Sequence, residues 1–581
     1  MCGIHGFTWQ GQQQIDQMIT LSESRGPDAE GSYKDSYISL GHNLLAITEA
    51  PIVSTQPWEM HDRNVLCYNG EIYNYQELKS DIQSKYNHSF ETDSDTEVLA
   101  YGLFYEGIEF IKKLDGMYAI AWYDRDKRTV TLARDSSGVK PLYYNKGDKG
   151  LCFSSSIKSL LSLGLDRNLD HAAFAIYTNL GYVPGPKTLL SSVKKLVPGE
   201  VITYDIRNDK YTSEFCVTPK FSGSQIDFVP SEFREAVSDS VKKCLMGRRP
   251  IGLFLSGGLD SSMILHELVN YDNKPKTFTT RFECSGKDSE DRFNSDADIA
   301  LRLSKEYNTQ HTDFVITLSN FLDAVEPCIE ALEEPRFNKN TPAYYLLNQE
   351  LARQGIVVTL SGDGGDEIFT GYKHHKFVRP QSGAGNYLTQ WYNLTKFKQS
   401  IPFNGGGLTS SSVIGYLAKW FPCSSMCEDH MNNHLFVETL THLPEDYLIR
   451  NDKLGMNFSM EGRFPLTLKS FKEYILSINS SKKISLKHEG LTKPFKLLPK
   501  QAYRGHLPDY VIDKMKTGWS IPTSEWLSSK KFRGEFLDPA LKKGYHQGTD
   551  DLFNFNSIRG MKPEMTVFYF RVWAKKYNIS L

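Results

Sequence analysis

Three short stretches of this chain carry side chains able to make or break bonds. Cys2 stands behind Met1 and before small Gly3. Removal of Met1 would put a thiol and a free α-amine on one residue, and an amine of pKa about 8 can serve as general base for its own side chain. Ser256-Gly257-Gly258-Leu259-Asp260-Ser261-Ser262 and Ser361-Gly362-Asp363-Gly364-Gly365-Asp366-Glu367 are glycine loops that each follow an apolar run. In the first, backbone N–H groups at a helix start and three serine hydroxyls make an anion site suited to phosphate. It lacks the Gly-Lys-Ser/Thr ending of the nucleoside-triphosphate P-loop. The carboxylates of Asp260 and Asp366 are oxygen ligands of the kind Mg²⁺ prefers. Each feature alone also has a plainer reading: a cysteine at a free terminus, a turn capping a helix, a solvated acidic turn.

The elements that must position these residues change character along the chain. Over residues 2–205 short alternating segments dominate, and Val65–Tyr68, Met117–Tyr123 and Thr129–Ala133 read as strands. Asp124-Arg125-Asp126-Lys127 reads as a turn between two of them, and Asp95–Tyr105 as a helix with an acidic start. This is an α+β pattern. Residues 206–226, rich in Asn, Asp, Lys, Ser, Thr and Gly, read as a linker. Over residues 227–581, Ile251–Leu255, Thr277–Phe282 and Ile356–Leu360 read as apolar strands, the first feeding a helix from Ser261 to Val269. Such strand–loop–helix units predict a parallel sheet with helices on both faces. Ligands sit beyond the carboxyl ends of such strands, so the two glycine loops can face one crevice. Residues 380–440 read as irregular and aromatic-rich, and no chemistry is assigned to them.

Bulk properties narrow the class. The chain has 581 residues, a formal net charge of −2 and 40% hydrophobic residues. That length predicts two or more domains, each with its own core. Near-neutral charge gives no reason to expect nucleic acid or a membrane surface as partner. No apolar run approaches the roughly 18 residues that span a bilayer. The start has no signal-peptide pattern. Nine scattered cysteines, an odd number, predict reduced thiols and a cytoplasmic setting.

Further motifs, taken in order, carry a resemblance. Arg25-Gly26-Pro27-Asp28, Tyr68-Asn69-Gly70-Glu71 and Ser94-Asp95 follow Cys2. Tyr182-Val183-Pro184-Gly185-Pro186 and Lys195-Leu196-Val197-Pro198-Gly199 lie near the domain junction, and Met460-Glu461-Gly462-Arg463-Phe464-Pro465 lies later. Lys496-Leu497-Leu498-Pro499-Lys500 precedes Leu507-Pro508 and Lys514-Met515-Lys516-Thr517-Gly518-Trp519. Together with the two glycine loops, this set resembles the glutamine-dependent asparagine synthetases from Cys2 to about residue 525. The resemblance implies a four-layer αββα glutaminase of the N-terminal-nucleophile type, then an α/β parallel-sheet ATP-pyrophosphatase domain with many helices. It implies Cys2 as nucleophile, with the Asn69 amide and Gly70 N–H as oxyanion donors. Glutamine would be held by Leu45, Ile47, Asn69, Glu71 and Asp95. ATP and pyrophosphate would meet Leu255, Ser256, Gly257, Gly258, Asp260, Ser261, Ser361, Gly362, Asp363 and Lys516. Mg²⁺ would lie on Asp260 and Asp366, and Lys496 would be the catalytic lysine that neutralises phosphoryl charge. The implied reaction takes ATP, aspartate, glutamine and water to asparagine, glutamate, AMP and pyrophosphate through β-aspartyl-AMP, with an internal ammonia tunnel. A homodimer is left open.

Several positions depart from the family pattern. His42-Asn43-Leu44-Leu45 has Leu44 where the family's His-x-Arg-Leu has the arginine that clamps the glutamine carboxylate. Losing such a clamp is worth about 1.5–3 kcal/mol, so weakened glutamine use is expected unless Arg25 or Arg63 substitutes. Pro499 replaces a leucine, Lys493 lies close enough to compete with Lys496, Lys514 stands for an arginine, and no acid follows Pro465 where one is usual, Leu468 standing there instead. The acceptor region, Glu333-Glu334-Pro335 to Tyr345, includes Arg336-Phe337-Asn338-Lys339-Asn340 in place of an Asp/Ser-rich run. Three rivals follow: an amidotransferase of the same fold acting on another carboxylate, a mainly ammonia-dependent synthetase, and a non-catalytic sensor. Cys423, Cys427, His430 and His434 are too compressed for the usual zinc finger and read as incidental core and surface residues.

Overall fold

The computed structural model describes residues 2–48, 55–216, 226–336, 338–381, 384–396, 410–418, 429–485, 495–514, 519–553, 558 and 560–580. The first domain supplies strands β1 (Gly3–Phe7), β2 (Ala29–Lys34), β3 (Ser39–Leu44), β4 (Trp58–Met60), β5 (Asn64–Ile72) and β6 (Gly116–Asp124). It continues with β7 (Thr129–Arg134), β8 (Tyr143–Gly147), β9 (Gly150–Ser154), β10 (Lys194–Lys195), β11 (Glu200–Asp205) and β12 (Lys210–Phe215). They form two six-stranded sheets, ordered β10-β8-β9-β1-β3-β2 and β12-β11-β7-β6-β5-β4, and every pairing is antiparallel.

Side-chain alternation shows how the sheets pack. Along β5 and β6, Val65, Cys67, Ala119, Ala121 and Tyr123 share a core with Ile4 and Leu40 of the other sheet. The intervening Leu66, Tyr68, Tyr118, Ile120 and Trp122 face Leu78, Ile82, Val98, Leu99 and Leu103. Those residues belong to the helices Tyr75–Tyr86 and Asp95–Glu106. With both faces covered, β5 is a near-continuous buried run rather than a clean apolar–polar alternation. Ser94 caps the second helix, its hydroxyl accepting from the Thr96 N–H at 3.2 Å. On the other sheet, Phe7 and Cys152 pack with Ile15, Met18, Ile19, Ile157 and Leu160, residues of the helices Gln12–Thr20 and Ile157–Leu161.

The second domain holds a parallel sheet of β13 (Ile251–Phe254), β14 (Lys276–Phe282), β15 (Gln310–Ile316), β16 (Val358–Leu360) and β17 (Glu461–Arg463) in the order β15-β14-β13-β16-β17. Strand order reverses between β13 and β16, which opens a crevice at their carboxyl ends. Both glycine loops leave the sheet there. Beside it, helices Pro230–Lys243 and Leu259–Leu268 bury Val237, Val241, Met263 and Ile264 with Leu253 and Leu360. The C-terminal helix Met561–Tyr577 returns to the first domain, where its Phe570 shares a core with Phe174 and Tyr177. No described helix is long and apolar enough to cross a membrane.

Two expectations fail. Residues after 205 do not begin a linker: β12 pairs with β11 along its length, Tyr204 opposite Tyr211, and Asp205 closes the turn by accepting from the Arg207 N–H at 2.8 Å. β12 is an edge strand with exposed side chains, so its polar sequence imitates a linker; residues 217–225 lie outside the described set. Nor is 380–440 irregular throughout, since it contains helices Ala384–Thr395, Ser410–Ala418 and His430–Leu440. Its aromatics, Tyr387, Trp391, Tyr392 and Phe436, form a satellite core of their own.

Where the domains meet, the fully buried Lys472 ammonium donates to the Ser136 carbonyl at 3.1 Å, and burial pulls its pKa down from 10.5 to about 8. Between those values the unfolded chain holds a proton that the folded protein has lost, so stability rises with pH across that window. Lys472→Met is expected to raise the melting temperature near neutral pH and to flatten its rise between about pH 8 and 10.5. Thermal melts over that range check both.

Candidate active sites

In the first domain a small cavity of about 30 Å³ is lined by Cys2, Leu44, Leu45, Ala46, Ile47, Gln56, Gly70, Glu71 and Asp95, among others. Burial pushes the Cys2 thiol pKa above its ordinary value, so the sulfur needs a base to become a nucleophile. The Cys2 N–H donates to Asn69 Oδ1 at 3.0 Å, and Arg25 Nε donates to the Cys2 carbonyl at 3.2 Å. Asn69 and Gly70 lie within β5, not in a hairpin turn. Gly70 has φ +156°, and a Cβ there would fall 2.0 Å from the Met117 carbonyl oxygen on β6, so only glycine lets the two strands meet.

The carboxylates expected to hold glutamine have other partners in this form. Asp95 accepts from the Tyr68 hydroxyl at 2.9 Å and the Ile72 N–H at 3.0 Å. Glu71 pairs with Arg463 of the second domain at 3.2 Å. Burial, then the neighbouring Glu461 charge, raises the Glu71 pKa well above the usual carboxylate range. Neither candidate replacement for the missing arginine faces the cavity: Arg25 pairs with Asp452 at 3.0 Å, and Arg63 pairs with Asp126 at 2.9 Å on the surface. None of the cavity's described lining residues is a lysine or arginine.

The second site lies at the sheet's switch point, in a cavity of about 400 Å³. Leu255, Ser256, Asp260, Ser261, Ser361, Gly362, Asp363 and Asp366 all line it. Ser256 and Ser261 hydroxyls are 3.0 Å apart, and the Gly258 N–H donates to Ser256 Oγ at 3.3 Å, which fixes the first loop as a polar cup. The second loop comes close enough that a Cβ on Gly365 would lie 2.6 Å from Asp260 Cγ. Lys496 stands between them, its Nζ bonded to Asp260 Oδ2 and 2.6 Å from Asp366 Oδ1. Burial opposes its charge, but the two carboxylates prevail and hold its pKa above the ordinary lysine value. Asp363 is tied down by donors from Ser361 Oγ at 2.6 Å and Asn451 Nδ2 at 2.7 Å. Lys516 and Lys493 lie outside the described residues.

Other segments complete this cavity, among them Asn338, Asn340 and Tyr344 of the stretch expected to meet the acceptor and Trp519 of the late lysine-rich motif. Phe254, Phe278, Tyr344, Leu347 and Trp519 give it an apolar wall, and Asn338, Asn340 and Arg450 add polar groups. Arg450 was legible only as one charge in Arg450-Asn451-Asp452-Lys453, a run that looks solvated yet is buried throughout. Glu333 and Glu334, expected near the acceptor, instead serve the domain interface. Glu333 pairs with Lys453 and accepts from Ser156 Oγ at 2.5 Å, while Glu334 lies 3.5 Å from Lys195 and 3.4 Å from Arg336.

A family model described as Glutamine amidotransferase domain matches residues 1–215, and one described as Asparagine synthase matches residues 232–559. The chain belongs to the asparagine synthase family. Glutamine-hydrolyzing asparagine synthetase 1 of Bacillus subtilis is 28% identical over 578 residues, covering 91% of this chain and 88% of that protein. Asparagine synthetase 3 of the same organism is 24% identical, covering 91% and 90%. Asparagine synthetase B of Escherichia coli is 29% identical over 370 residues, 62% of each chain.

Arg463 of the second domain reaches the first-domain cavity through its lining residue Glu71. Arg463 binds Glu71 at 3.2 Å and Glu461 at 2.6 Å, and donates to the carbonyls of Cys244 at 2.8 Å and Met246 at 2.5 Å. Arg463→Met would strand the buried Glu461 carboxylate, a change that typically costs about 3–5 kcal/mol. The first urea transition is expected to shift down accordingly; an unchanged midpoint would show the pair to be solvated.

Proposed function

We propose that this chain makes asparagine from aspartate, taking its nitrogen from glutamine hydrolysed in the first domain. The observation that carries the reading is the convergence of Asp260 and Asp366 on Lys496 inside one cavity, at the switch point of a parallel sheet. Two carboxylates and a cup of serine hydroxyls and backbone N–H groups are the donor set for a metal-bound polyphosphate. Mg²⁺, when bound, would be held by Asp260 and Asp366 and would offset phosphate charge. The cup of Ser256, Gly257, Gly258 and Ser261 would hold the pyrophosphate, and Lys496 would neutralise charge as the aspartate carboxylate takes up AMP. The apolar wall would hold the adenine and keep water from the acyl-adenylate until ammonia displaces AMP.

In the first domain, release of Met1 would leave the Cys2 amine accepting the thiol proton, with Asn69 Oδ1 positioned to orient that amine. The raised thiol pKa supports a role for an adjacent base. The Gly70 N–H and Asn69 would steady the oxyanion. Two sheets packed face to face with helices outside each support the four-layer αββα glutaminase type. Leu44, with no cation in the described lining, supports weak glutamine binding. The KM for glutamine is expected to be roughly tenfold or more above that of relatives with the arginine, from the loss of a charged hydrogen bond.

The deciding assay is aspartate-dependent pyrophosphate release, run with glutamine and then with ammonium. Cys2→Ala is expected to abolish release with glutamine and to keep it with ammonium. ADP as product, or indifference to aspartate, would refute the proposal.

A further inference from the structure

Beyond the second acidic turn the chain builds another cluster, used by neither reaction. His374 and His375 lie on the short 3₁₀ helix Lys373–Phe377, and His434 and Glu438 lie one turn apart on His430–Leu440. Their ligand-capable atoms all fall within 4.8 Å of one another. His374 Nε2 is 2.6 Å from Glu438 Oε1, and His434 Nε2 is 3.6 Å from the same oxygen. His434 is fully buried, yet neither of its ring nitrogens has a hydrogen-bond partner among the described residues. A buried imidazole left this way is costly unless something else satisfies it.

His375 plays a different part. The Tyr372 N–H points at His375 Nδ1 from 3.2 Å, so that nitrogen keeps its lone pair and the neutral ring carries its proton on Nε2. There it donates to Glu438 Oε2 at 2.9 Å. An imidazole bonded to the far oxygen of a carboxylate is the outer support commonly found behind a metal ligand.

We propose that His374, His434 and Glu438 bind a divalent transition-metal ion of the Zn²⁺ class, with His375 orienting the carboxylate. Two histidines and a glutamate form a known three-ligand zinc set that leaves one position open. Imidazole ligands disfavour Mg²⁺ and Ca²⁺. Bonds of about 2.0–2.1 Å in a tetrahedron need ligand atoms about 3.3 Å apart. The His434–Glu438 separation is close to that, and the His374–Glu438 hydrogen bond would widen to reach it. His374, 20% exposed, gives the ion an entry. Of the earlier grouping Cys423, Cys427, His430 and His434, the His430 ring bonds the Tyr387 hydroxyl, and both cysteines lie outside the described residues. The ion would pin the turn that follows Tyr372, which lines the ATP cavity and donates its hydroxyl to Glu367 at 2.5 Å.

The test uses the full chain, stripped with chelator, loaded separately with Zn²⁺ and Co²⁺, desalted, and assayed by elemental analysis and visible spectroscopy. The expected result is about one ion per chain, with the strong visible bands of four-coordinate cobalt. His374→Ala and His434→Ala should each weaken binding by more than roughly tenfold, while His375→Asn should weaken it less than either. His374→Ala alters a partly exposed ring and is expected to fold, as circular dichroism can check. A wild-type protein that retains neither ion, or retention unchanged in His374→Ala, would overturn the proposal. A His375→Asn loss as large as that of His374→Ala would overturn the three-ligand assignment.

Discussion

Asp260 and Asp366 leave neighbouring strands of one sheet and reach the same ammonium, that of Lys496. Two carboxylates gathered on one ammonium would, without it, repel each other by roughly a few kcal/mol at an effective dielectric of about 20. A cation between them removes that penalty and ties the late helix start at Lys496 to both glycine loops. Lys496 pays for its position with a left-handed backbone, φ 56°. Such a conformation persists in a non-glycine residue only where surrounding contacts impose it. The neighbouring Leu498 and Ala502 supply them by packing into the core shared with Leu253 and Leu360. Charge and packing therefore fix the same geometry.

A comparable arrangement holds the domains together. Glu445 lies 2.8 Å from Lys195 and 3.7 Å from Arg134, and Asp452 lies 3.0 Å from Arg25 and 3.8 Å from Lys140. In each pair the acid comes from the second domain and the base from the first, and all are buried. Desolvation makes such pairs poor sources of net stability, but any relative slide of the domains would leave charges buried and unpaired. The interface is thus intolerant of misalignment. Arg25 shows how closely site and interface are joined, since the side chain that pairs with Asp452 also bonds the Cys2 carbonyl.

The parallel sheet was legible because its strands are short apolar runs ending in glycine loops, and the loops carry the side chains that line the cavity. β5 and β6 were legible in part: their buried alternation serves two different cores, so both faces are apolar and the strands run longer than the period-two signal suggests. What stayed hidden follows from tertiary context. β12 is polar because it is an edge, and helix Ile449–Met456 is charged because its partners arrive from the other domain. Glu71 illustrates the limit well. Its motif suggests an acid for the glutamine ammonium, yet only the fold reveals Arg463 beside it.

The stretch from Asp363 to His375 faces two ways. Asp363 and Asp366 turn into the cavity, while Glu367 and Tyr372 turn back and bond each other. Burial, with Asp366 adjacent, pushes the Glu367 pKa up to about 7, so the pair holds a proton through much of the neutral range and lets a third acid sit behind two reactive ones. Immediately beyond, His374 and His375 reach Glu438, whose own pKa falls well below normal because, although burial opposes its charge, three histidines surround it. One acid titrates near neutrality and the next is kept charged within a single short turn and its packing partners. Only the charged one has the ligand environment of a metal, which is why the chemistry of this segment divides between its two faces instead of blending into one acidic patch.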